Sequence, residues 1–82
     1  MKHVLYFTAD WCNPCQRTKP HAEELIAEGA NIKFIDADAE TDMVKNFKVL
    51  SIPTFILIEN GEEIKRMNGA KTKEQLQEFL NG

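Results

Sequence analysis

Two cysteines stand at positions 12 and 15 of an 82-residue chain, within Trp11-Cys12-Asn13-Pro14-Cys15. An apolar run, Val4-Leu5-Tyr6-Phe7, precedes them, and a segment of helical character, Gln16 to Glu28, follows. A strand therefore ends in a turn, and both thiols fall at the start of the next helix. On a first helical turn, side chains three residues apart are neighbours, with Cβ atoms roughly 5–6 Å apart. A disulfide needs Cα atoms about 4.4–6.8 Å apart, so this pair can open and close with little backbone movement. The first sulfur also faces free backbone N–H groups and the positive end of the helix dipole, which favour a thiolate. Spacing and location together describe a dithiol that can cycle.

Other uses of the pair fit less well. Disulfide stabilisation grows with the length of the loop closed, and this loop is nearly the shortest possible, so a structural staple gains little. A structural zinc site wants four Cys or His ligands, and the only histidines are His3 and His21. His21 lies six residues after Cys15, on roughly the opposite side of the helix, and His3 is at the far end of the strand. The same spacing disfavours His21 as the base of a Cys–His hydrolytic pair. An iron–sulfur cluster would need thiolates from two chains. No metal is expected.

The elements that must position the pair follow from the hydrophobic pattern. Residues 3–8 read as a strand without alternation, as for one covered on both faces. The helix from 13 to 29 carries Ala22, Leu25 and Ile26 at i, i+3, i+4, with Gly29 as its C-cap and a kink expected at Pro20. Residues 32–35 read as a second strand, parallel to the first through a right-handed crossover. A solvated acidic loop, 36–40, and a short helix over 41–48 come next, the helix packing through Met43, Val44 and Phe47. Phe55-Ile56-Leu57-Ile58 is the strongest apolar run and reads as a central strand after Pro53. Asn60-Gly61 fits a two-residue hairpin turn into a charged edge strand, 62–67. Asn68-Gly69 forms another turn, and Thr72-Lys73-Glu74-Gln75 is a capping box for a last helix with Leu76, Phe79 and Leu80 on its apolar face. The expected fold is a single α/β domain over residues 1–82, with a four-stranded mixed sheet, order β-α-β-α-β-β-α, and helices on both faces.

Composition narrows the function. A net charge of −3 argues against a nucleic-acid surface, which is normally basic. No stretch approaches 18 consecutive apolar residues, so no membrane partner is expected. The N-terminus runs into the first strand without a signal-peptide core, and the expected location is cytoplasmic. In that compartment a CxxC pair is redox-active or metal-binding.

With this order of elements, the chain resembles the thioredoxin-like superfamily, in the form of a minimal, glutaredoxin-sized thioredoxin. The resemblance covers essentially the whole chain. It is carried by Ala9-Asp10-Trp11-Cys12, Pro14-Cys15, Pro20, Ser51-Ile52-Pro53-Thr54, Asn60-Gly61 and Gly69-Ala70. Position assigns the roles: Cys12 precedes the helix proper and can be exposed, so it is the expected nucleophile, and Cys15, one turn inside, is the expected resolving thiol. The resemblance implies a cis Ile52–Pro53 bond beside them, and a client-binding surface of Trp11, Pro14, Ile52, Pro53, Gly69 and Ala70. For Gly69-Ala70 a plain turn is the alternative. For Asp10 the readings are a solvated loop acid or a carboxylate raising the Cys12 pKa. Tyr6 reads as a core residue whose hydroxyl could orient a water near Cys15.

Three departures stand out. Full-length thioredoxins carry a further N-terminal strand and helix for which this chain has no residues. The family's buried Asp, six positions before the first cysteine, is Tyr6 here, and the Lys often paired with it aligns to Phe34. The residues between the cysteines are Asn-Pro where Gly-Pro is usual.

The resulting expectation is a thiol–disulfide oxidoreductase with no cofactor beyond the Cys12–Cys15 couple, acting as a monomer. Its partners would be disulfide-containing client proteins and a thioredoxin-reductase-type electron donor. The alternatives are a glutathione-dependent, glutaredoxin-like donor, for instance to ribonucleotide reductase, and a non-catalytic binding module built on the same surface.

Overall fold

The computed structural model describes residues 1–81. Its elements are β1 (Lys2–Thr8), α1 (Asn13–Ala27), β2 (Ile32–Asp36), α2 (Thr41–Asn46), β3 (Thr54–Glu59), β4 (Glu62–Asn68) and α3 (Lys73–Asn81). The strands form one mixed sheet in the order β2-β1-β3-β4. β1 runs parallel to β2 and antiparallel to β3, and β4 returns antiparallel to β3. The α/β class and the expected order of elements are both present.

β1 lacks alternation because apolar layers cover both of its faces. Val4 and Tyr6 point into a cluster with Ala22 and Leu25 of α1, Phe55 and Leu57 of β3, and Leu76 and Phe79 of α3. Leu5 and Phe7 point the other way, towards Ile35, Val49, Ile56 and Ile58. The second layer is closed by half-buried Met43, Val44 and Phe47, as the apolar positions of the short helix require. No residue of α2 is fully buried, so this side is the thinner one. Among the described residues no helix is long and apolar enough to cross a membrane.

Local signals set the boundaries. α1 ends at Ala27, two residues earlier than expected, because Gly29 is the residue after the cap. Its φ of +102° lets Gly29 N–H reach the Ile26 carbonyl and Ala30 N–H the Leu25 carbonyl. Exposed Pro20 lies within α1, which runs through it without ending. Asn60 and Gly61 both take positive φ and close the β3–β4 hairpin. A register shift in that hairpin leaves Ile64 out of the pairing, and it is 48% exposed.

The capping box of α3 is formed in both directions. Thr72 N–H donates to Gln75 Oε1 at 2.9 Å, and Gln75 N–H donates to Thr72 Oγ1 at 3.2 Å. Thr72→Ala is expected to cost about 1 kcal/mol of stability, read as a lower denaturant midpoint. At the end of α2, Lys48 takes the position that Gly29 takes after α1, with φ +53°. Its N–H and that of Val49 reach the Lys45 and Val44 carbonyls. Lys48→Gly removes the Cβ penalty of that conformation and is expected to raise the midpoint, by about 0.5–1 kcal/mol of stability.

Candidate active site

The topology brings four segments to one edge of the sheet. Parallel pairing sets Thr8 beside Asp36, so the chain leaving β1 runs beside the chain leaving β2. Antiparallel pairing sets Thr54, the first residue of β3, opposite Phe7, which carries residues 51–53 to the same edge. β4 ends with Asn68 opposite Thr54, so Gly69 and Ala70 arrive there too.

Cys12 and Cys15 form a disulfide with Cα atoms 5.2 Å apart. Cys12 is the N-cap of α1, with extended backbone (φ −89°, ψ 107°), and Pro14 sits in the first turn, where its missing N–H costs nothing. The Cys12 sulfur occupies the place of a capping oxygen and accepts the Cys15 N–H at 3.3 Å. The two residues differ in access. Cys12 is 5% exposed and Cys15 is fully enclosed, although the sequence suggested a freer Cys12. Cys12 is drawn in by Ala9 and Ile52, which pack against the pair.

Ile52–Pro53 is cis, as expected, and the Ile52 carbonyl oxygen lies 3.9 Å from the Cys12 sulfur. Pro53 is buried and Ile52 half-buried. The Pro53 carbonyl accepts the Gly69 N–H at 2.9 Å, so the Gly69-Ala70 turn is tied directly to this loop. Gly69 has φ +87°, which a side chain would strain. Trp11 is 67% exposed beside the pair. Trp11 and Pro14 thus adjoin the cysteines along the chain, Ile52 packs against the pair, Pro53 follows Ile52, Gly69 is bonded to Pro53, and Ala70 is exposed. His21 is half-buried on α1 and His3 lies at the opposite end of β1. Among the described residues no three His, Cys, Asp or Glu side chains gather where they could hold a metal ion.

Tyr6 lies beneath the pair, fully buried, with its ring against Phe34 (5.3 Å) and Phe55 (4.4 Å). Its hydroxyl does not wait for a water: it donates directly to the Cys15 carbonyl at 2.7 Å. Burial pushes the phenol up to about 12, against a smaller opposing pull from the Thr8 hydroxyl. Lys19 covers the Phe34 ring, its Nζ 5.8 Å from the centroid. The position where the resemblance would put an acid–lysine pair holds an aromatic pair with one hydroxyl.

A protein-family model described as Thioredoxin matches residues 1–82. The chain belongs to the thioredoxin family. It is 41% identical over 73 residues to a thioredoxin of Mycobacterium bovis, a match covering 85% of this chain and 63% of that protein. The same identity and length relate it to a bifunctional thioredoxin reductase/thioredoxin of Mycobacterium leprae, of which the match covers 16%. The chain thus spans less than two thirds of the length of these curated relatives. Among solved structures it superposes on the thioredoxin of Fasciola hepatica with a TM-score of 0.90. That match has 30% identity and covers 98% of this chain and 78% of the other. Thioredoxin NaTrxh from Nicotiana alata also gives a TM-score of 0.90, at 33% identity, covering 98% and 70%.

Several residues of this thioredoxin-family site carried no signal in the sequence. Asp38 belongs to the acidic loop read as solvated, yet its Oδ2 accepts the Trp11 indole N–H at 2.7 Å. The parallel pairing of β1 and β2 was the available clue, since it sets the loops after both strands side by side. Asp36 instead caps its own loop, accepting the N–H groups of Asp38 and Ala39. Asn68 Nδ2 donates to Thr54 Oγ1 at 2.9 Å, and Thr54 Oγ1 donates to the Ser51 carbonyl at 2.6 Å, pinning the loop around Pro53. Thr18 accepts the Lys71 N–H at 3.2 Å and so joins α1 to the Gly69–Thr72 segment. Leu50, 97% exposed, forms with Trp11 the rim of a cleft of about 330 Å³, also lined by Val44, Val49 and Ile52.

Proposed function

We propose that this chain is a thiol–disulfide oxidoreductase that reduces disulfides of client proteins, with Cys12 as nucleophile and Cys15 as resolving thiol. The observation that carries this is the asymmetry of the pair. The sulfur with an opening to solvent is the one that receives a backbone N–H at a helix N-terminus, while its partner is sealed. A donated hydrogen bond and the helix dipole stabilise the charge on Cys12 after reduction.

In the first step the Cys12 thiolate attacks one sulfur of a client disulfide. The Cys12–client bond forms, the client S–S bond breaks, and the departing client sulfur takes a proton from solvent. Cys15 then attacks the Cys12 sulfur. The Cys12–Cys15 bond re-forms, the bond to the client breaks, and the second client sulfur leaves with the proton that Cys15 sheds. The client gains two electrons and the pair loses two. Ile52, beside the Cys12 sulfur, is placed to align an extended client segment in the manner of strand addition, with Trp11, Pro14, Pro53, Gly69 and Ala70 completing the contact surface.

An external donor must return the two electrons. A relative named as a bifunctional thioredoxin reductase/thioredoxin supports a reductase of that kind. The chain acts as a cytoplasmic, monomeric domain without a bound cofactor, and its net charge of −3 suits neither nucleic acid nor an anionic membrane surface. The direct test is reduction of an interchain protein disulfide in dithiothreitol, followed by precipitation of a released chain. Substoichiometric wild-type protein is expected to accelerate it. No acceleration at equimolar protein would contradict the assignment.

A further inference from the structure

The backbone of Cys15 is held from two sides. Its N–H points to the Cys12 sulfur at 3.3 Å, and its carbonyl receives the Tyr6 hydroxyl at 2.7 Å from the sheet below. The Tyr6 bond ties the first turn of α1 to β1 itself, while Cys12 N–H and Gln16 Nε2 tie it to the Ala9 carbonyl in the loop between them, and Ala9 and Ile52 pack against the pair. The Tyr6 ring is itself fully buried, packed against Phe34 and Phe55. The carbonyl and the N–H of Cys15 belong to the two peptide planes that meet at its Cα, so a shift of that Cα disturbs both bonds together.

We propose that Tyr6 is a positioning residue for the redox pair: by holding the Cys15 carbonyl it aims the Cys15 N–H at the Cys12 sulfur and thereby sets the reactivity of the Cys12 thiolate. This rests on Cys12 being the nucleophile. The phenol stays neutral throughout the working pH range, since burial pushes it up to about 12, so it remains a donor and never becomes a proton acceptor. The charged groups at this end of the molecule include Asp10, Lys19 and Asp36 around a small cleft by the end of β1, Arg17 on α1, Asp38 on Trp11, Lys48 after α2, and Lys71 against Thr18. None of them is altered by removing one hydroxyl, so a change in thiolate reactivity reports the Tyr6 bond.

The test compares Tyr6→Phe with the wild type. The variant keeps the ring and loses the hydroxyl, and with it the bond to Cys15 and the weaker interaction with the Thr8 hydroxyl. Iodoacetamide alkylation of Cys12 in the reduced protein is expected to slow about three- to tenfold at pH 6, the weight of one net hydrogen bond. Its pH profile should move to higher pH, and the equilibrium with glutathione should shift towards the disulfide. Phe79→Leu loosens the same core from α3 without a bond to the pair, and its alkylation profile is expected to match the wild type. An unchanged profile and equilibrium in Tyr6→Phe would overturn the proposal, as would an equal shift in both variants, which would show general loosening. Disulfide reduction by the wild-type protein tests the function itself, separately from the difference between variants.

Discussion

Cys15→Ser is expected to accumulate client proteins as covalent adducts on Cys12, visible as higher bands on non-reducing gels and lost on adding dithiothreitol. The expectation follows from the geometry of the pair. The enclosed Cys15 cannot meet a client sulfur, but its Cα is 5.2 Å from that of Cys12, within reach of the Cys12 sulfur after a client has bonded there. Removing it blocks the second step and leaves the first intact. Cys12→Ser is expected to form no adducts and to reduce disulfides no faster than buffer. Equal trapping by the two variants would show that the nucleophile is assigned wrongly.

Phe55→Ala is expected to destabilise the fold by about 3–5 kcal/mol. Phe55 lies on β3, fully buried, with Tyr6 opposite it on β1 and Met67 opposite it on β4, and its ring is 4.4 Å from that of Tyr6. A chain of this size has a total stability of about 4–12 kcal/mol, so the loss is a large fraction of it. Ile64→Ala should change stability by less than about 0.5 kcal/mol, because the register shift in β4 leaves that side chain 48% exposed. Urea unfolding separates the two: the midpoint of Phe55→Ala should fall far below that of the wild type and that of Ile64→Ala should not.

The strands, helices and turns were legible because each rests on a short-range pattern. The apolar runs of β1 and β3, the Asn60-Gly61 turn and the Thr72–Gln75 box act over a few residues and survive into the structure unchanged. The cysteine pair was legible from its spacing and Pro53 through the family resemblance, and the fold sets the Ile52 carbonyl, just before Pro53, 3.9 Å from the Cys12 sulfur. What the sequence hid are bonds between segments distant along the chain. Trp11 to Asp38, Tyr6 to Cys15 and Asn68 to Thr54 depend on strand register and on which rotamer each side chain takes. Tyr6 shows the limit most clearly. As a residue type in an apolar run it reads as core, and it is core, yet its one polar atom reaches the redox pair. Asp38 adds a second case: an acid in a charged loop reads as solvated, and it is exposed, yet the loop after β1 brings the Trp11 indole N–H to its Oδ2.

The equilibrium reduction potential of Cys12–Cys15, measured in glutathione and dithiothreitol buffers, tests most directly whether the pair serves as a reductant of protein disulfides. A value of about −270 mV or lower is expected, where the dithiol form gives electrons to client disulfides and a reductase can restore it. A value of about −180 to −120 mV would contradict that role and place the same pair with isomerases and oxidants.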